Sequence, residues 1–180
     1  MMRVHRTPPG GLPVEMAAVM AHLRLDPADG EQMLEAQAMV DAAAAEIEHH
    51  AQIALLTQSV TVTLDAWPAG ELVRLPIGPV QPGSPYMATA GGEELTVLLP
   101  SFGRRPGFRL DPAEWTGGPV EIVYEAGFGP TYHALPWDLR LAVLDQAAAF
   151  YDARGAIPAQ AQALSPHAAR IAARHRGVAL

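Results

Sequence analysis

Hydrophobic positions recur along the chain with two different periods, and the change of period divides it. From Val14 to Leu25 the apolar residues Met16, Val19, Met20 and Leu23 fall three and four apart, the spacing of one helix face. Asp26-Pro27 stops this helix, because the residue before proline is pushed out of the α region. Residues 31–56 then place Met33, Ala36, Val40, Ala44, Ile47, Ala51 and Leu55 on one stripe. Glu31, Glu35, Asp41, Glu48 and Gln52 lie largely off it, which predicts a long amphipathic helix. Ala42 to Ala45 put four small side chains in its middle, suited to close approach of a neighbouring backbone and equally selected by helix propensity alone.

Period two takes over at Gln58–Asp65, where Val60, Val62 and Leu64 alternate with Ser59, Thr61 and Thr63. Shorter strands are predicted at 71–75, 86–89, 94–99, 107–110 and 120–125. Pro68-Ala69-Gly70, Gly91-Gly92, Pro106-Gly107 and Gly117-Gly118-Pro119 separate them as turns. Residues 57–129 therefore read as a small antiparallel β region. Prolines at 76, 79, 82 and 85 suit either an extended connection along a sheet edge or a polyproline segment offered to an aromatic groove.

The helical period returns from Pro136 to about Arg154, with Trp137, Leu141, Leu144, Ala148 and Tyr151 on one face. Leu139, Val143 and Phe150 broaden that face, which predicts contact on more than one side. Asp138, Asp145 and Asp152 recur every seven residues as an acidic stripe, either solvated or set for a basic partner. Residues 155–163 are an Ala/Gln/Pro linker. Ser165-Pro166 then reads as an N-cap followed by proline at the first helical position, opening a short helix over 167–176. Ile171 is its one large apolar residue, so it is expected to be ordered only against something else.

Composition narrows the chemistry. The 180 residues carry no cysteine, and all twelve basic residues are arginine. That removes disulfides, thiolate nucleophiles and zinc–thiolate sites, and with them lysine Schiff bases and the P-loop lysine. A net charge of −7 disfavours non-specific DNA binding, whose affinity comes from cations replacing counterions. Residues 1–9 carry Arg3 and Arg6 without an apolar run and do not read as a secretory signal. The prolines of 75–92 would break a membrane helix, so no membrane partner is expected. The charge is unevenly spread: seven acidic and no basic side chains lie between Asp26 and Glu48, whereas 153–180 contains Arg154, Arg170, Arg174 and Arg176 and no acid.

Few constellations suggest catalysis. Glu46-Ile47-Glu48-His49 matches the Glu-x-x-His half of a di-iron site, but a second copy is absent. A small metal-dependent hydrolase using Glu46, His49 and His50, with His133 as auxiliary base beside Tyr132 and Asp138, is one alternative reading. A DNA-binding regulator using the C-terminal arginines is another. Gly127-Phe128-Gly129 lacks the third glycine of a dinucleotide fingerprint and reads as a turn. Arg104, Arg105 and Arg109, interleaved with Phe102 and Phe108, form the basic cluster of the β region, suited to nucleic acid or to a carboxylate-rich protein surface.

Several segments, in this order, resemble the head–tail connector (adaptor) proteins of long-tailed phages and of gene transfer agents, which are phage-like particles. They are 21–26 (Ala-His-Leu-Arg-Leu-Asp), the long Ala/Glu helix, 64–68 (Leu-Asp-Ala-Trp-Pro), 75–80 (Leu-Pro-Ile-Gly-Pro-Val) and 120–129, with Pro136 opening the last major helix. The most specific piece is Tyr124-Glu125-Ala126-Gly127-Phe128-Gly129 followed closely by Pro136. The resemblance covers about residues 14–154. His49-His50 departs from it, standing where the family usually has a polar, glycine-containing turn.

The resemblance implies a structural virion protein, not an enzyme, without cofactor, catalytic residue or metal site, located at the head–tail interface of a particle made in a bacterial cytoplasm. The implied fold is α+β: a mainly helical ring-forming body, an inserted antiparallel β region and an extended C-terminal helix and tail. Residues 1–13 form an N-terminal arm, 14–154 the connector domain with helices 14–25, 31–56 and 136–154, and 155–180 the linker and portal-docking segment. About twelve copies would form a ring beneath the portal protein. A tail-side stopper or tail-terminator protein is the next partner, and double-stranded DNA passes through without sequence recognition. Ring contacts are expected at Val40, Ala44, Ile47, Leu141, Leu144 and Tyr151. Portal contacts are expected at Arg170, Ile171, Arg174, Arg176, Val178 and Leu180, and Arg104, Arg105 and Arg109 fall on a tail-side or channel loop. An acidic helix face including Glu35, Asp41 and Glu48, if it lines the channel, would repel phosphates and let the duplex slide.

Overall fold

A computed structural model describes residues 1–67, 71–98, 100–111, 113–114, 117–154 and 164–176. The chain forms two units, one β and one helical. The β unit comprises Met1–Pro9 and Gln52–Phe128; the helical unit comprises Gly10–Ala51 and Gly129–Arg176.

In the β unit, alternation of inward and outward side chains sets the sheet. β1 (Met2–Arg6), β2 (Gln58–Leu64), β4 (Tyr86–Ala90), β5 (Glu93–Glu94) and β7 (Val120–Ala126) form one antiparallel sheet in the order β1-β2-β7-β4-β5. The register aligns Val60 with Tyr124, Val62 with Ile122 and Leu64 with Val120, so the buried positions of both strands share one face. A shift by one residue would turn all of them to solvent, which is why the pattern specifies the pairing so strongly. β3 (Val73–Arg74) and β6 (Gly107–Phe108) make a separate two-stranded ladder. Phe108, Leu110, Leu75 and Ile77 join the inward faces of β2 and β7 in one core.

Tyr124 anchors that core. Its ring is 1 % exposed, and its hydroxyl donates to the Ile77 carbonyl at 3.1 Å and accepts from the Ile77 N–H at 3.3 Å. Burial pushes the phenol well above the ordinary tyrosine value, so it stays protonated. Tyr124→Phe is expected to remove about 1–2 kcal/mol from the stability of the β unit, read by urea unfolding, because it leaves the Ile77 peptide without this partner.

Residues 1–13, set apart in the sequence as an arm, contribute an edge strand instead. β1 runs antiparallel to β2 from Met2 opposite Leu64 to Arg6 opposite Val60, and Arg3 lies 3.2 Å from Asp65.

The helical unit contains α1 (Met16–Leu23), α2 (Gly30–Ala51), a 3-10 turn (Tyr132–Ala134), α3 (Trp137–Ala153) and α4 (Pro166–His175). α2 stops at Ala51, five residues short of the expected end at 56, where Gln52 takes a left-handed conformation (φ 56°). The apolar residues Ile53 to Leu56 continue the helical pattern, but they are buried in the β unit, with Ile53 bridged to Gly78. The buried stripe of α2 is Ala36, Val40, Ala43, Ile47 and Ala51, centred on Ala43 rather than Ala44. α2 packs on α3, and both contact α1 and α4. No described helix is long and apolar enough to cross a membrane.

Candidate functional site

The small α4 has little apolar surface, yet it is ordered against α2 and α3 of its own chain. Ser165 caps it by accepting from the Ala168 N–H at 3.1 Å, as the Ser-Pro signature predicted. The Ser165 N–H in turn donates to Oε1 of the fully buried Gln146 on α3 at 2.7 Å. Ala168, Ile171, Ala172 and His175 are buried.

The polar edge of this contact uses the acidic stripe. Asp145 pairs with His167, and Asp138 lies 3.0 Å from Nε2 of His175 and 3.7 Å from Arg174. Residues 7 apart on α3 thus meet residues 8 apart on an antiparallel α4, which fixes the register of the two helices. The basic partner anticipated for Asp138 and Asp145 is the chain's own C-terminal helix. This also redirects His133, which stacks beside Tyr132 with ring centroids 4.1 Å apart, while Asp138 goes to His175.

Burial works against the charge of Asp138, but the His175 hydrogen bond and charge, the Leu139 N–H and Arg174 outweigh it and hold the carboxyl below its ordinary value of 3.8. A depressed carboxyl contributes stability above its unfolded-state pKa and loses it as pH falls through the folded one. The Asp138 contribution to α4 docking is therefore expected to be intact at neutral pH and lost on acidification below about 3.8. Asp138→Asn should flatten that acid limb of a thermal-stability profile.

The expected partner-facing residues are dispersed by this packing. Ile171 is 1 % exposed, and Val40 and Ile47 are fully buried, so all three are core residues of the helical unit. The reason is shared: the widest apolar stripes of α2 and α4 are used up within the chain. Arg154, assigned by sequence to the cationic end, pairs with Glu35 at 3.1 Å and lies over the Tyr151 ring at 3.3 Å. Glu35 is thereby paired within the chain, and Tyr151 carries a guanidinium over its ring. Val178 and Leu180 lie outside the described residues. Glu46, His49 and His50 sit on the last turns of α2, and no group of three or more His, Asp or Glu is placed to hold a metal among the described residues.

Three surfaces stand out among the described residues. The first is an apolar groove of about 530 Å³ in the helical unit, lined by Val14 and Ala18 with Tyr132, Trp137, Leu141 and Leu144. Trp137 is 79 % exposed under the Arg140 guanidinium, 4.0 Å from the ring centre, and Leu141 is 43 % exposed. Leu141 and half-buried Leu144, two of the expected ring contacts, thus line this groove. Trp137 and Leu141 with the groove beside them thus form a contiguous apolar face that the described residues leave open. The second is a basic pocket lined by Arg74, Arg104 and Arg105. Arg74 was missed from sequence, because only the pairing of β3 with β6 brings it within 3.1 Å of the Arg105 carbonyl. The third is an acidic pocket lined by Glu93, Glu94 and Glu114.

The class defined by this architecture is a mixed α+β chain with a five-stranded antiparallel sheet and four helices among its described residues. Solved structures share it over nearly their whole length. One described as the neck of an empty GTA particle computed with C6 symmetry matches at a TM-score of 0.77 and 28% identity, over 100% of this chain and 97% of that one. A chain from a virion of a native gene transfer agent particle matches at 0.73 and 28%, over 98% and 96%. A third, from the neck of a native GTA particle computed with C12 symmetry, matches at 0.69 and 27%, over 99% and 97%. No protein-family model matches this chain, and no curated protein does.

Proposed function

We propose that this chain is a head–tail connector: a structural component of the neck of a phage-like particle of the gene-transfer-agent type. In this reading it assembles as a ring under the portal, joins the DNA-filled head to the tail, and forms part of the passage for DNA. The observation that carries the proposal is the end-to-end likeness to gene-transfer-agent neck chains, at 28% identity with 97% or more of both chains covered. Necks computed with C6 and C12 symmetry support a cyclic arrangement of about a dozen copies here. The exposed Trp137 groove suits a subunit that meets neighbours on more than one side.

Within that reading, portal attachment falls to the outward side chains at the C-terminal helix, Arg170, Arg174 and Arg176, since Ile171 is used internally. The tail-side partner and the DNA path are assigned to the β unit. Mass photometry and negative-stain imaging, with and without the portal protein, test the proposal. Rings of about a dozen copies are expected at least on the portal. A chain that stays monomeric and unbound in the presence of the portal would remove it.

A further inference from the structure

Among the described residues of the helical unit, the exposed large apolar side chains fall into two sets on different helices. Trp137 and Leu141 of α3 border the groove that α3 forms with Val14 and Ala18. Met33 and Leu34 lie in the first turns of α2, and no α2 residue lines the groove. Leu34, at 67 % exposed, is the most exposed leucine of the described residues. The two sets also differ in shape. Along the line of α2 that continues from Leu34 at spacings of four, three and four come Ala38, Asp41 and Ala45, all exposed. Leu34 therefore stands as a knob on an otherwise low helix surface, whereas the Trp137 set borders a hollow of about 530 Å³.

The charges beside knob and groove are opposite. Asp29 caps α2, accepting from the N–H groups of Glu31 at 3.0 Å and Gln32 at 3.1 Å. Glu31, exposed in the first turn, is thus spared that task, and its carboxylate enters no ion pair among the described residues. At the groove, Arg140 lies over Trp137 and its Nε donates to the Leu135 carbonyl at 3.2 Å, while its terminal nitrogens enter no ion pair among the described residues. The two acids that line the groove are engaged within the chain. Asp138 meets His175 and Arg174, and Glu15 stands beside the Tyr132 phenol, whose pKa desolvation and the Glu15 charge hold above its ordinary value.

We propose that the Leu34 knob of one copy seats in the Trp137–Leu141 groove of a second copy of this chain, with Arg140 meeting Glu31 at the rim. A hollow edged by tryptophan and leucine lets an aliphatic anchor lose its water, and a charge pair at the rim fixes which way round the partner docks. A two-fold contact of groove on groove would instead bring two Arg140 guanidiniums to one interface and leave Leu34 in water. Knob and groove use different residues of one unit, so the contact is heterologous. Such contacts propagate head to tail and give a ring when the rotation between copies closes. This contact presupposes the ring arrangement proposed above and supplies its two complementary surfaces.

Thiol cross-linking of the full chain with the portal protein present tests it, and the absence of native cysteine means that every cross-link reports an introduced pair. Leu34→Cys and Leu141→Cys are placed in separate chains, one of them tagged, and treated with a short bismaleimide. The mixture is expected to yield at least about tenfold more covalent dimer than either variant alone, since only a heterologous contact joins the two positions, and a chain carrying both should give a ladder reaching about a dozen copies. Leu34→Asp, at an exposed position where the fold does not depend on the side chain, is expected to weaken ring formation about a hundredfold. Arg140→Glu and Glu31→Arg should each weaken it about tenfold, and the two reversals combined in one chain should restore most of the loss. Either cysteine variant cross-linking to itself as well as the mixture does, Leu141→Cys cross-linking to the portal protein instead, unchanged rings of Leu34→Asp, or no rescue by the double reversal each overturns the proposal. Native rings on the portal without a Leu34–Leu141 cross-link would overturn this contact while leaving the connector reading intact; no native rings on the portal would remove that reading, and this contact with it.

Discussion

Gly127→Ala is expected to cost about 3–6 kcal/mol, a large share of the roughly 5–15 kcal/mol that keeps an ordinary domain folded. Gly127 has φ 141°, in the half of backbone space that L side chains rarely occupy. A Cβ there would lie 2.5 Å from the Leu56 carbonyl carbon and oxygen and from the Thr57 nitrogen. These are backbone atoms at the entry to β2, and they cannot swing aside as a side chain would. The strain of the conformation and the overlap add, and the hydrogen bond from Gly127 to Pro79 holds the segment in place. Urea unfolding followed by tyrosine and tryptophan fluorescence measures the loss. A variant as stable as the native chain would mean that the turn relaxes without cost.

Ile171→Asp is the second large effect expected. Ile171 is 1 % exposed within the packing of α4 on α2 and α3. Losing its burial and placing an unpartnered carboxylate there should cost about 4 kcal/mol or more and release the helix. Limited proteolysis should then cut within 164–176, and circular dichroism should show reduced helix. Arg174→Ala gives the contrast: Arg174 is 60 % exposed and 3.7 Å from Asp138, so its removal should change stability little. A loss of portal attachment by Arg174→Ala in a normally stable protein would support the proposed portal contact; no loss would argue against it. Deleting 165–180, by comparison, would remove the proposed portal contacts together with the internal packing of α4.

Some elements were legible because their cause is local. β2 and β7 alternate strictly, and their buried faces follow that alternation; α3 occupies Trp137–Ala153 almost as its period required. Ser165-Pro166 announced α4 through the chemistry of the cap. Other elements depended on partners distant in sequence. Met2–Arg6 reads as a polar arm until β2 offers it an edge. Ile53 to Leu56 fit a helix as well as they fit a buried crossing, and the left-handed Gln52 decides between them. The arginine pocket joins residues thirty positions apart, so sequence showed Arg104 and Arg105 without Arg74.

Alone, the sequence determined the order of helix and strand periods, the apolar faces and the separation of an acidic helix from a cationic end, since these depend on neighbours within one or two turns of chain. The absence of cysteine and lysine likewise limited the chemistry before any fold was known. Tertiary structure alone decided which face meets which. It gave Asp138 and Asp145 of α3 to His175 and His167, buried Ile171, left Trp137 outside, and gathered Arg74 with Arg104 and Arg105 in one pocket of the β unit. A period says that a face will be covered, but the identity of its cover is fixed only by competition among all the faces the chain can fold together.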